Sequence, residues 1–149
     1  MNLNNYTIKA QEAIANAQQL AFNNGNPNIE TEHILQALLS DKDSAIEFLL
    51  KKNNVNTAFV ENKLQESIEK LPKVSGTEPA QSISRDANNV VLRAGNTLKT
   101  FGDEFVSVEH LLLAIAQGSD NSAKLLKLHI LGIRNPILAW MPSLRVKSP

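Results

Sequence analysis

One stretch of the chain is present twice, and this duplication limits the possible folds more than any other feature. The second copy is Gly102-Asp103-Glu104-Phe105-Val106-Ser107-Val108-Glu109-His110-Leu111-Leu112-Leu113-Ala114-Ile115. The first runs from Gly25 to Leu38, with Ile29, Glu32, His33, Ile34, Leu35, Ala37 and Leu38 in matching places. His33 and His110 are 77 positions apart, and the same offset, without a gap, pairs Thr7 with Ser84, Ala10 with Ala87, Ile14 with Val91, Ala17 with Ala94, Asp43 with Asp120 and Leu49 with Leu126. Each unit is longer than the ~20–50 residues of a solenoid repeat. Two units of this size predict one pseudo-symmetric domain.

The periodicity within each unit is helical. Ala10, Ala13, Ile14, Ala17, Leu20 and Ala21 recur at three- and four-residue spacing and predict a helix from about Thr7 to Asn23. Thr7 is its N-cap and Gly25 a left-handed residue beyond it. A second helix starts near Thr31, with Glu32 in the first turn facing the positive end of the helix dipole. Asp43 is expected to cap helix three, which carries Ala45, Ile46, Phe48, Leu49 and Leu50. Asn56 is expected to cap helix four, with Phe59, Val60, Leu64, Ile68 and Leu71 inward and Pro72 as its stop. In the second unit Ser84, Ser107 and Asp120 are the expected caps of helices five, six and seven. The domain is thus read as all-α with seven or eight helices: repeat one over 5–71, a linker over 72–83, repeat two over 84–127 and a divergent tail over 128–149. Pro136 and Pro142 argue against a regular final helix in that tail.

Composition narrows the functional classes. Fifteen basic and fifteen acidic residues give zero formal net charge, and no basic stripe of the kind nucleic-acid binders carry is visible. No apolar run reaches the ~18–20 residues that span a bilayer. Met1 to Asn5 lacks the basic-then-apolar pattern of a secretory signal. The absence of cysteine excludes disulfides and thiolate metal sites and fits a reducing, cytoplasmic setting.

Catalytic chemistry finds little support. Glu32-His33 and Glu109-His110 are not the His-Glu-x-x-His spacing that sets two imidazoles on one helical face, so no metal site is expected. There is no Gly-x-Ser-x-Gly elbow and no phosphate-binding Gly-x-x-x-x-Gly-Lys-(Ser/Thr) loop. The chain reads as a recognition module and not an enzyme, with no cofactor of its own.

The doubled Gly…(Ile/Val)…Glu-His-(Ile/Leu)-Leu pattern resembles the amino-terminal domain of the Clp ATP-dependent unfoldases. The Leu71-Pro72-Lys73-Val74-Ser75-Gly76 connector is more similar to the ClpB disaggregase branch than to the ClpC and ClpA protease partners. The resemblance covers about Asn5 to Lys127. It implies two pseudo-symmetric four-helix repeats, a groove for unfolded or aggregated polypeptide, and delivery of that polypeptide to AAA+ modules in a hexamer, where ATP and Mg would bind. It also implies the alternative of an adaptor-docking domain of a Clp protease subunit. By the resemblance, Thr7, Asp103 and Glu109 handle substrate; each also has a structural reading, as N-cap, loop terminator and dipole partner. An acid near Thr7 is expected to tie helix one to helix six. Arg93, Thr97 and His110 stand where relatives often place leucines, which implies a more polar groove. Losing one such leucine contact forfeits ~1.5–3 kcal/mol of burial, ten-fold or more in affinity.

Overall fold

The computed structural model describes residues 3–74 and 82–128. Seven α-helices carry the fold among these: α1 Ile8–Asn23, α2 Thr31–Ser40, α3 Ile46–Lys52, α4 Thr57–Glu69, α5 Arg85–Phe101, α6 Val108–Ala116 and α7 Asn121–Leu128. The stretch equivalent to α4 in repeat two, and most of the linker, lie outside the described residues.

The helix starts follow from local chemistry. Thr7, Asn56 and Ser84 each accept a hydrogen bond from the amide three residues on, at 3.1 Å, and so satisfy an amide that the first helical turn leaves unpaired. Asp120 Oδ1 does the same for Ala123 N at 3.0 Å. The expected Asp43 cap on helix three is corrected: the helix begins later, at Ile46, whose amide donates to Ser44 Oγ at 3.2 Å. Asp43 instead donates its own amide to Asp41 Oδ1. The tighter turn after α2 uses up the residues that would have formed the first helical turn.

Helices α2 and α6 form the centre. Every α6 residue except Glu109 is buried, and α2 buries Thr31, His33, Ile34, Leu35, Ala37, Leu38 and Leu39. A helix apolar on all sides must be surrounded. α1 packs on α2, α5 on α6, α4 on α2 and α7 on α6, while α2 and α6 meet between the repeats. Alanines 10, 13, 17 and 21 on α1 are all buried, which lets the helices approach closely. Three of the apolar residues expected on helices three and four are exposed: Ala45, just before α3, Phe48 at 67% and Phe59 at 40%. Helix α3 has only 7 residues, too short for a period to single out one face, and Ile46, Leu49 and Leu50 fill the space below it.

The sequence pattern gave no sign of the two-residue strands. Asn28–Ile29 of repeat one (β1) pairs in parallel with Ser82–Ile83 (β2), just before α5 of repeat two. At the pseudo-equivalent place Tyr6, just before α1, bridges in parallel to Val106 of repeat two. Each repeat therefore lends its loop to the start of the other's first helix, and the two interlock.

Candidate functional site

The two interlocked junctions are built alike and finished differently. At the first, Thr7 N donates to Val106 O at 2.9 Å and Val106 N to Asn5 O at 2.8 Å. At the second, Ser84 N donates to Ile29 O at 3.0 Å. These main-chain bonds, and no acid on Thr7, tie α1 to the α6 region. The Thr7 hydroxyl oxygen caps α1 through Ala10 N, so the expected carboxylate tie is corrected.

Behind each junction a buried histidine clamps the start of the central helix. His33 Nδ1 accepts from Glu30 N at 2.8 Å, and Nε2 lies 2.8 Å from Asn26 Oδ1. His110 Nδ1 accepts from Ser107 N at 2.9 Å, and Nε2 lies 2.9 Å from Asp103 Oδ2. A nitrogen that accepts from a main-chain amide carries no proton, so in both rings Nε2–H donates to the residue seven positions back. Burial pushes the His33 pKa down to about 4.

The acceptors differ. Asn26 is an amide, and its Nδ2 donates onward to Pro72 O at 2.9 Å while Val74 N donates to Gly25 O at 2.8 Å. The loop of repeat one thus grips the chain leaving α4. Gly25 holds this turn at φ 74°, and Gly102 takes φ 70° at the equivalent place, a region that costs other residues strain. Asp103 puts a carboxylate where Asn26 puts an amide, its side chain 11% exposed and one oxygen fixed by His110.

Glu109 lies half-buried in the first turn of α6, where the dipole favours its charge. Its counterpart Glu32 is held above the usual carboxylate range, first by burial and then by Glu30 and Asp120, while a hydrogen bond with Asn121 opposes the shift.

Thr7, Asp103 and Glu109 therefore belong to one junction, at the meeting of α1 with the loop into α6. Of the three residues expected to make the groove more polar, Thr97 and His110 are buried and Arg93 is half-buried. Thr97 is buried and bonds Ala94 O at 2.6 Å. His110 is buried beneath Asp103. Arg93 Nε donates to Ala114 O at 3.0 Å, near the end of α6, where carbonyls lack intrahelical partners. Thr97 Oγ1, the two His110 ring nitrogens and Arg93 Nε are thus engaged inside the domain.

Two apolar side chains face solvent at this junction instead. Ile8 is 74% exposed and Phe105 42% exposed, and they flank the Thr7–Val106 hydrogen bond in sequence. Their counterparts at the other junction are Arg85 and Asn28. Sequence reasoning passed over this pair, although the departure of Ile8 and Phe105 from the repeat was the signal. Among the described residues no three or more His, Asp or Glu side chains gather to hold a metal, and no helix is long and apolar enough to cross a membrane.

Two fused helical repeats, interlocked through their helix starts, define the class of Clp amino-terminal domains. The model of the Clp repeat (R) N-terminal domain matches residues 5–129, and the chain belongs to that family. It is 40% identical over 127 residues to chaperone protein ClpB of Bacteroides thetaiotaomicron and 39% identical over 127 residues to that of Porphyromonas gingivalis. Each alignment covers 85% of this chain but 14% of the relative, so the chain spans about one seventh of their length. Among solved structures, the Hsp104 N-terminal domain from Candida albicans superposes with a TM-score of 0.71 at 23% identity, covering 84% of this chain and 81% of that one. The N-terminal domain of ClpD from Arabidopsis thaliana gives 0.70 at 20% identity, covering 97% of each. The fold and the all-α class are those the resemblance implied.

Proposed function

We propose that this is the substrate-recognition domain of a ClpB-type ATP-dependent chaperone, which captures unfolded or aggregated polypeptide for an AAA+ ring. The observation that carries this reading is the asymmetry between the junctions: one exposes Ile8 and Phe105 beside Asp103 and Glu109, and the other presents Arg85 and Asn28. Exposed apolar side chains rimmed by fixed charge suit brief capture of apolar segments. Two side chains bury little area, so each contact is weak. Six tethered copies in a hexamer raise the local concentration without any new contact. ATP and Mg belong to modules outside this chain.

A labelled, permanently unfolded protein titrated into the domain tests this reading. Asp103→Ala with Glu109→Ala is expected to weaken binding while helicity is retained. Undiminished binding by that variant, or none by the parent domain, favours docking of a folded adaptor, as in a Clp protease subunit.

A further inference from the structure

The turn that leads into the Ile8–Phe105 junction has a twin in repeat one, and the twin is occupied. Gly25 and Gly102 close the same turn, at φ 74° and φ 70°. The next residue donates its amide back into the preceding helix, Asn26 N to Ala21 O at 2.9 Å and Asp103 N to Leu98 O at 3.0 Å. In repeat one a stretch of chain lies across this turn. Val74 N donates to Gly25 O at 2.8 Å, and Asn26 Nδ2 donates to Pro72 O at 2.9 Å. A Cβ on Gly25 would stand 3.7 Å from Val74 O and 3.8 Å from Lys73 Cβ. In repeat two Gly102 is exposed, and a Cβ on it would meet no described residue within 4 Å. Among the described residues no donor meets Gly102 O or Asp103 Oδ1.

We infer that the Gly102–Asp103 turn takes one extended main-chain segment of a partner polypeptide, laid across it as Pro72 to Val74 lie across Gly25 and Asn26. This rests on the capture reading and gives it a binding mode: main-chain hydrogen bonds, which every polypeptide offers whatever its sequence. A partner N–H donates to Gly102 O as Val74 N donates to Gly25 O. The second contact is inverted. Asn26 and Asp103 each use one side-chain oxygen to accept from a buried histidine, so Asp103 Oδ1 stands where Asn26 has Nδ2. Asn26 requires an acceptor from the chain above it, and Asp103 requires a donor. A carbonyl placed there, like that of Pro72, is repelled. An N–H or hydroxyl is held by a charged acceptor, which binds more strongly than a neutral one. Phe105, exposed three residues further on, adds apolar surface on the same loop.

The test is an NMR titration of the isotope-labelled chain with a capped serine–leucine octapeptide, beside the same peptide with esters in place of its central four amides. An ester removes the N–H donor and adds no bulk. Expected are saturable shifts at Gly102, Asp103 and Glu104 with the amide peptide, none at Gly25 or Asn26, and affinity about ten-fold lower for the ester peptide. Asp103→Asn keeps an oxygen for His110, as Asn26 does for His33, but turns Nδ2 toward the incoming donor. It should keep the fold and weaken the amide peptide about ten-fold. Amide and ester peptides that bind alike, shifts at Ile8 and Phe105 without Gly102, shifts at Gly25 equal to those at Gly102, or undiminished binding by Asp103→Asn would overturn this inference and leave capture standing. Binding of neither peptide, with Ile8 and Phe105 also unmoved, would overturn both.

Discussion

Acid should weaken this domain through one side chain. His33 is fully buried and neutral, with Nδ1 accepting from Glu30 N and Nε2–H donating to Asn26. A second proton would break the Glu30 bond and place a charge in the core. Burial accordingly lowers the pKa from 6.5 to about 4 in the folded state. Between those values the unfolded chain binds a proton that the folded chain refuses, so stability falls as pH falls from 6.5 and levels off near 4. The slope approaches ~1.4 kcal/mol per pH unit, and the 6.5-to-4 interval amounts to on the order of 3 kcal/mol. That is a large share of the ~5–15 kcal/mol that holds a domain folded. Glu32 acts in the opposite direction, since a raised folded pKa makes protonation favour folding, and Glu32→Gln removes that contribution. The assay is urea unfolding at half-unit steps from pH 7 to 4, on Glu32→Gln and on Glu32→Gln with His33→Gln. The double variant should be less stable at pH 7 and should lose less stability on acidification. Parallel curves would show that His33 is not kept neutral by burial, and the reasoning would be wrong.

Other expectations follow from named contacts. Gly118→Ala pushes its new Cβ against Arg93 Nη2 and should cost ~1–3 kcal/mol by displacing the Ala114 hydrogen bond; in an Arg93→Ala background the same change should be nearly neutral, a double-mutant cycle read by chemical unfolding. Tyr6→Phe should be neutral or stabilising by about 1 kcal/mol, because the Tyr6 hydroxyl is buried without a partner among the described residues and burial pushes its pKa up to about 12. Leu35→Ala should cost ~2–5 kcal/mol and Phe48→Ala within about 0.5 kcal/mol, since the first is fully buried and the second stands in solvent.

Much of the architecture is legible because it is local or periodic. Thr7, Asn56, Ser84, Ser107 and Asp120 act within three residues of themselves, so their roles as caps can be read from the chain alone. What escaped reading depends on distance. Arg93 finds Ala114 across 21 residues, and its fit requires Gly118 to lack a side chain. The Asn28–Ser82 and Tyr6–Val106 pairings join different repeats over segments too short to show a period. The histidine clamps span seven residues and leave no periodic trace, although the repeat offset carries Asn26 onto Asp103. Thr7, Asp103 and Glu109 came from resemblance, whereas Ile8 and Phe105 break the repeat in the sequence and are seen to face solvent once burial is known.

The most direct test of substrate capture is residue-resolved NMR of the labelled chain with an unfolded, arginine-free apolar polypeptide, comparing the two pseudo-equivalent junctions within one molecule. The account predicts shifts at Ile8, Asp103, Phe105 and Glu109, quiet amides at Arg85 and Asn28, and loss of the shifts in Ile8→Ser with Phe105→Ser. Equal shifts at both junctions, or shifts confined to the second, would contradict it.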